Sequence, residues 1–254
     1  MAAPELRGKR ALVTGASQGI GAEIARSLVS CGVEVVLAGR DRPSSSLVQV
    51  AEELREKGGS VSWLHADLQE PEQVLGLAQE ALAIHPVIDI LVNNAGIVHA
   101  LPALEETPET WQQTLAVNLV APFLLAQQLA PAMMRQGEGR IVMIGSAAGL
   151  VGFPNRASYA ASKGGLAMLT RQLAVEWGPA GITVNCVAPT VTLTPMAQKA
   201  WADPQKRQAM ENSIPVRRLA TPSDVAAAVL SFLQPSAGMM NGVVLPVDGG
   251  YTIR

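Results

Sequence analysis

Seven short apolar runs punctuate the chain, at Ala11–Thr14, Val33–Ala38, Val61–His65, Ile88–Asn93, Ile141–Gly145, Thr183–Ala188 and Val243–Val247. They are rich in Val, Ile and Leu and mostly apolar on both faces. That pattern predicts parallel strands covered by helices on both sides. Longer amphipathic stretches lie between them. Thr107-Pro108 and Thr221-Pro222 each set an N-cap hydroxyl before a proline at the first helical position. Thr221 with Asp224 forms a capping-box pattern. Pro122 and Pro131 fall inside one apolar helical stretch and predict a kink or interruption there. Ser44–Ser46 reads as a turn before a helix.

The strand–helix alternation runs to the end with no long linker, repeat or low-complexity block. We expect one α/β domain over residues 1–254, a Rossmann-like doubly wound fold with an about seven-stranded parallel sheet and helices on both faces. Residues 1 to about 140 would form a cofactor half. Residues from about 141 to 254 would form a catalytic and substrate half, with a lid near 190–215. Such sheets bind ligands beyond the carboxyl ends of their strands.

Composition narrows the function classes. Of 254 residues 48% are hydrophobic and 16% charged, enough apolar content to bury a large core. A formal net charge of -2 gives no reason to expect nucleic acid or an anionic membrane as partner. His65, His85 and His99 are scattered, so no metal site is expected. Cys31 and Cys186 lack metal or redox spacing and read as reduced thiols of a cytoplasmic protein. The polar N-terminus lacks the apolar core of a signal peptide. No uninterrupted apolar run approaches the roughly 18 residues of a membrane span.

The first strand ends in Thr14-Gly15-Ala16-Ser17-Gln18-Gly19-Ile20-Gly21, and a helix follows. A glycine turn between strand and helix lets backbone approach a pyrophosphate, which the helix N-terminus then attracts. The spacing G-x-x-x-G-x-G also suits a plain strand-to-helix turn. At the end of the second strand Gly39 stands where an acid would hold a ribose 2′-hydroxyl, and Arg40 follows. Arg40 favours the 2′-phosphate of NADP(H); Asp41 keeps NAD(H) open.

Tyr159 and Lys163, four apart on a predicted helix, share one face. A nearby ammonium lowers a phenol's pKa and equips it for proton exchange with a carbonyl or alcohol oxygen. Alone, such a pair is also common on surfaces. Ser146, just past the fifth strand, could hold the same oxygen or could cap its own turn.

Together Thr14–Gly21, Asn93-Asn94-Ala95-Gly96, Ser146 and Tyr159-Ala160-Ala161-Ser162-Lys163 resemble the short-chain dehydrogenase/reductase family in motif order and spacing. The resemblance runs to Val247-Asp248-Gly249-Gly250. It implies Tyr159 as acid/base and Lys163 as its tuner and nicotinamide-ribose ligand. Ser146 would orient the carbonyl, and Asn118 would hold a water in a relay through Lys163. It further implies cofactor contacts from Gly15, Ser17, Gln18, Gly19, Ile20 and Gly21. Asp67 and Leu68 would meet adenine, and Asn94 the adenosine ribose. Pro189, Val191, Thr192 and Thr194 would meet the nicotinamide end. The family's usual Pro-Gly is Pro189-Thr190 here, which restricts the backbone. Pro189–Met196, Ala200–Pro204 and Ser213–Pro215 resemble L-xylulose reductases and related dicarbonyl/polyol members.

The resulting expectation is an NADP(H)-linked oxidoreductase acting on a small ketose, polyol or dicarbonyl. A 3-oxoacyl or steroid-type ketoreductase and a non-catalytic dinucleotide-binding sensor are the alternatives. Met196, Trp201 and Met210 would touch substrate or pack within the lid. A homotetramer is implied, with contacts through the helices of Trp111–Met134 and Tyr159–Trp177 and the C-terminal strand.

Overall fold

The computed structural model describes residues 6–40 and 46–253; Asp41, Ser44 and Ser45 lie outside them. Its strands are β1 (Arg10–Thr14), β2 (Glu34–Gly39), β3 (Val61–His65), β4 (Ile90–Asn93), β5 (Gly139–Ile144), β6 (Ile182–Pro189) and β7 (Val244–Val247). They form a parallel sheet in the order β3-β2-β1-β4-β5-β6-β7. Every expected strand is present, within one or two residues of its predicted ends. The order reverses between β1 and β4, and a crevice opens there, where strand-to-helix connections diverge.

One face carries α1 (Gly19–Ser30), α2 (Ser46–Glu56) and α9 (Pro222–Leu233). Ile24, Leu28, Leu47, Leu54, Val229 and Phe232 pack there on Val13, Val35 and Leu37 of the sheet. The other carries α3 (Pro71–Ile84), α5 (Ala121–Gln136) and α6 (Ala157–Trp177), whose Leu77, Leu125, Leu129, Leu166 and Leu173 bury Leu12, Val36 and Leu91. The sheet is thus apolar on both sides, as its strand composition dictates.

The two prolines behave differently. α4 (Pro108–Leu115) runs through a π-helical turn at Ala116–Val120 into α5. That turn is the expected interruption: it falls just before Pro122, which has no N–H to give the preceding turn and lies inside a continuous helix. Pro131 lies within α5, and the helix continues past it. The stretch Pro108–Gln136 is therefore long and apolar enough to cross a membrane by length and composition, which the run-by-run reading did not anticipate. Half of its most apolar window is buried inside the protein, and α5 packs on the sheet as a core helix.

Two shorter helices, α7 (Pro195–Ala200) and α8 (Pro204–Ser213), follow β6 where the lid is expected. Met210 is buried with Ile214 and Leu219 in a small separate cluster that includes Trp201, Phe153 and Tyr251. Met210 therefore packs within the lid. The side chain of Met196 is outside the described set.

At α9 the capping box forms as predicted. The Thr221 hydroxyl accepts from the Asp224 amide at 3.3 Å, and Asp224 Oδ2 accepts from the Thr221 amide at 2.7 Å. Thr221→Ala should cost about 1 kcal/mol. Urea unfolding checks this, and an unchanged midpoint would show that the cap contributes nothing.

Candidate active site

The glycine turn after β1 is held from inside. Thr14 Oγ1 accepts the amides of Asn94 and Ala95, both at 3.0 Å. Asn94 Nδ2 donates to the carbonyls of Thr14 at 2.8 Å and Gly15 at 3.1 Å. Gly15 has φ +63°, and a Cβ there would stand 2.8 Å from Ala95 Cα. A Cβ on Gly21 would stand 2.4 Å from the Gly15 carbonyl oxygen, so α1 can lie this close only without side chains. α1 has no side-chain cap. The amides of Ser17 through Gly21 have no hydrogen-bond partner among the described residues. Unpaired N–H groups at a helix N-terminus form an anion site. With the glycine cradle behind them, they fit a dinucleotide pyrophosphate.

A cleft of about 520 Å³ runs from this turn along the carboxyl ends of the strands. All the sequence-derived site residues line it except Gly21 and Asn118. Gly21 is pressed beneath the turn. At one end lie Arg40, Asp67 and Leu68; at the other lie Ser146, Tyr159, Lys163, Pro189, Val191, Thr192 and Thr194. Arg40 is exposed, on the strand end whose neighbour Gly39 also lines the cleft.

The catalytic-type residues come from three elements. Ser146 ends the β5 segment and starts a 3-10 turn, its Oγ accepting from the Ala148 amide at 3.1 Å. Ser146 therefore caps its own turn, and its hydroxyl acts on Tyr159 in favour of the phenolate. Gly149 closes the turn against α6: a Cβ there would stand 2.7 Å from the Lys163 carbonyl carbon. Lys163 is buried and donates to the Ile144 carbonyl at 2.7 Å.

The electrostatics differ from the expected tyrosine–lysine tuning. Burial raises the Tyr159 phenol above its ordinary value, against the opposing pull of the Ser146 hydrogen bond and the Arg156 charge. Lys163 Nζ lies 5.8 Å from the Tyr159 ring centroid and makes its close contact with the Ile144 carbonyl. Burial brings Lys163 down to about 8, partly offset by Cys186 behind it. Desolvation outweighs the pairing that the spacing suggested.

Asn118 stands on the π-helical turn and is fully buried. Its Oδ1 accepts from the Ile97 amide and its Nδ2 donates to the Ile97 carbonyl, both at 2.9 Å. Nδ2 also reaches Ser162 Oγ at 3.1 Å. It joins the loop after β4 to α6. A Cβ on Gly96 would stand 3.3 Å from Asn118 Oδ1 and 3.5 Å from Lys163 Nζ, so the two side chains approach one point.

Phe153 and Arg156 belong to the segment Ala148–Arg156, which its place between Ser146 and Tyr159 leads one to expect at the substrate pocket, and both line the cleft. Phe153 also stacks on Tyr251 with centroids 5.1 Å apart. No motif singles out either residue. Thr190, the departure from Pro-Gly, has no positive φ, so the backbone there does not need glycine.

A family model described as Enoyl-(Acyl carrier protein) reductase matches residues 15–252. D-threitol dehydrogenase of Mycolicibacterium smegmatis is 38% identical over 249 residues, 98% of this chain and 95% of the relative. L-xylulose reductase of Bos taurus is 40% identical over 248 residues, 97% of each chain. A solved structure from Beutenbergia cavernae, provisionally called an NAD(P) dependent gluconate 5-dehydrogenase with NADP bound at low occupancy, is 40% identical with TM-score 0.92. The match covers 98% of this chain and 99% of that one.

Lys163 leaves a signature in stability against pH. Its folded value near 8 lies below the ordinary 10.5. Between those values the unfolded chain holds the proton more tightly. The penalty is fully present below pH 8 and is relieved as pH rises, by at most about 1.4 kcal/mol per pH unit. Cys186, raised by burial from 9.0 to about 11, opposes this above pH 9. Urea unfolding at pH 8 and 9 should give a smaller stability gain in Lys163→Met than in wild type. Equal gains would contradict the depressed lysine.

Proposed function

The chain belongs to the short-chain dehydrogenase/reductase family, and from that premise we propose that it moves a hydride between NADP(H) and a small ketone or secondary alcohol of ketose, polyol or dicarbonyl type. The observation that carries this reading is one cleft lined both by the glycine turn with its unpaired amides and by Ser146, Tyr159 and Lys163. The bound nicotinamide supplies or accepts the hydride.

In reduction, Ser146 holds the substrate oxygen and Tyr159 gives it a proton as the carbonyl carbon gains the hydride. In oxidation the phenolate takes the hydroxyl proton while the carbon loses hydrogen with its electron pair. The positive charges of Arg156 and, when protonated, Lys163 stabilise that phenolate. Lys163 also binds the nicotinamide ribose, and Asn118 ties the loop after β4 to its helix and supports the proton path. Asp67 and Leu68 hold adenine, Asn94 the adenosine ribose. Val191, Thr192 and Thr194, beyond Pro189, hold the nicotinamide amide.

Arg40 supports NADP(H): its guanidinium matches a 2′-phosphate, and Gly39 beside it offers no acid to a 2′-hydroxyl. The similarity to D-threitol dehydrogenase and L-xylulose reductase supports the polyol and ketose class. A carrier-linked acyl substrate is less favoured. Two short basic pairs, Lys206-Arg207 and Arg217-Arg218, are too thin a patch for a carrier, and Arg207 is paired with Glu211 and Arg218 with Asp224. The sensor reading would leave the Ser146–Tyr159 contact without a use.

A homotetramer accords with apolar surface on the expected elements. Trp111, Val120, Met168 and Val175 are exposed on the helices, and Met239, Val243 and Ile253 near the C-terminus. Two buried free cysteines accord with the cytoplasm.

Initial rates of NADPH and NADH consumption with diacetyl and L-xylulose test the reading. Tyr159→Phe should lower kcat about 10²- to 10⁴-fold, and full activity would exclude the mechanism. Arg40→Ala should raise KM for NADPH about tenfold or more with little change for NADH. Equal effects on both cofactors would remove Arg40 from 2′-phosphate recognition.

A further inference from the structure

The substrate end of the cleft carries a cation, Arg156, whose charge near Tyr159 is matched by no carboxylate. Arg156 precedes α6 as its N-cap residue, yet its side chain makes no cap. A positive charge at a helix N-terminus opposes the helix dipole. Among the described residues its side chain donates one hydrogen bond, from Nη1 to the carbonyl of neighbouring Asn155 at 2.9 Å. Asn155 has φ +57°, in the left-handed region, just before Arg156. No ion pair reaches Arg156 among the described residues. Glu106, the acid that meets the start of α6, instead accepts the Ser158 amide at 3.1 Å.

The rest of the lining sharpens the asymmetry. The charged residues of the cleft are Arg40 and Asp67 at one end, Arg156 and Lys163 at the other. No carboxylate lines the end that holds Ser146 and Tyr159. Buried Thr190 lines the same cleft, and its Oγ1 has no partner. A half-buried guanidinium in a partly dry cleft interacts more strongly with an anion than it would in water.

We propose that Arg156 determines substrate specificity by pairing with a carboxylate on the substrate, so that the enzyme acts on a hydroxy acid or keto acid of polyol length. This rests on the cleft being the hydride-transfer site. The carboxylate takes no part in the bond changes; it anchors one end of the chain while a carbon further along meets Ser146 and Tyr159. A single planar fork suits the two oxygens of a carboxylate.

D-gluconate and D-glucitol make the test, because they differ only in a carboxylate against a hydroxymethyl group. Their binding to enzyme saturated with NADP⁺ can be measured by calorimetry, beside kcat/KM for whichever is oxidised. Wild type should prefer gluconate by about 10- to 100-fold. The preference should fall as salt rises. Arg156→Ala should abolish it, Arg156→Lys should keep part, and Arg156→Glu should reverse it. The ratio isolates the pairing from folding and from any change at Tyr159, which both ligands feel alike. Equal affinities in wild type, no gluconate binding, or a preference surviving in Arg156→Ala would overturn the proposal. Tighter binding of D-glucitol 6-phosphate than of gluconate would overturn the choice of carboxylate. Carbonyl reduction without gluconate preference would sink this inference and leave the oxidoreductase reading intact. Gluconate held by Arg156 without hydride transfer to any substrate would do the reverse.

Discussion

The contact between Thr14 and Asn94 at the split between β1 and β4 underlies the rest of the site. Strands diverging at a switch point leave exposed carbonyls and amides, and a crevice between them would otherwise collapse or fill with water. Thr14 Oγ1 and Asn94 Nδ2 take up those groups across the gap. The carbonyls of the turn are thereby satisfied from within, and the amides from Ser17 to Gly21 remain for a ligand. Asn94 is therefore structural as well as lining, and the glycines at 15 and 21 are the spacing that lets this network close.

The opposite end of the cleft is governed by desolvation. Tyr159 and Lys163 are both pushed toward their neutral forms by burial. The groups that resist are specific: a hydroxyl from Ser146, a guanidinium from Arg156, and for Lys163 the thiol Cys186 beneath it. A phenol kept neutral by burial and countered by a hydrogen bond and a cation suits proton exchange in either direction. Gly149 makes this possible mechanically, because only a turn without a side chain lets Ser146 approach α6 so closely.

The C-terminus contributes more than a closing strand. Asp248 accepts from the amides of Gly250 and Thr252 at 2.9 and 2.8 Å, and this fixes the turn after β7. Tyr251 then stacks on Phe153, and both join the cluster beneath the lid helices. The substrate end is walled by segments far apart in sequence, each held by local turn chemistry.

Strand positions, the parallel sheet, the helix caps at Thr107 and Thr221 and the glycine turn were legible in the chain, because period, capping and φ requirements are local. The residues gathered in the cleft were legible through a family pattern, most of them at strand carboxyl ends and Tyr159 and Lys163 on α6. What the sequence could not determine depends on partners distant along the chain. The spacing of Tyr159 and Lys163 promised a tuned pair, but burial by the whole fold set their charges. Asn118 was legible only through the family pattern, and its bonds to Ile97 and Ser162 depend on residues 21 and 44 positions away. No motif marks Arg156; only the tertiary structure puts it in the cleft without an acid paired to it, because the free energy of a charge depends on which groups surround it and not on which residues flank it.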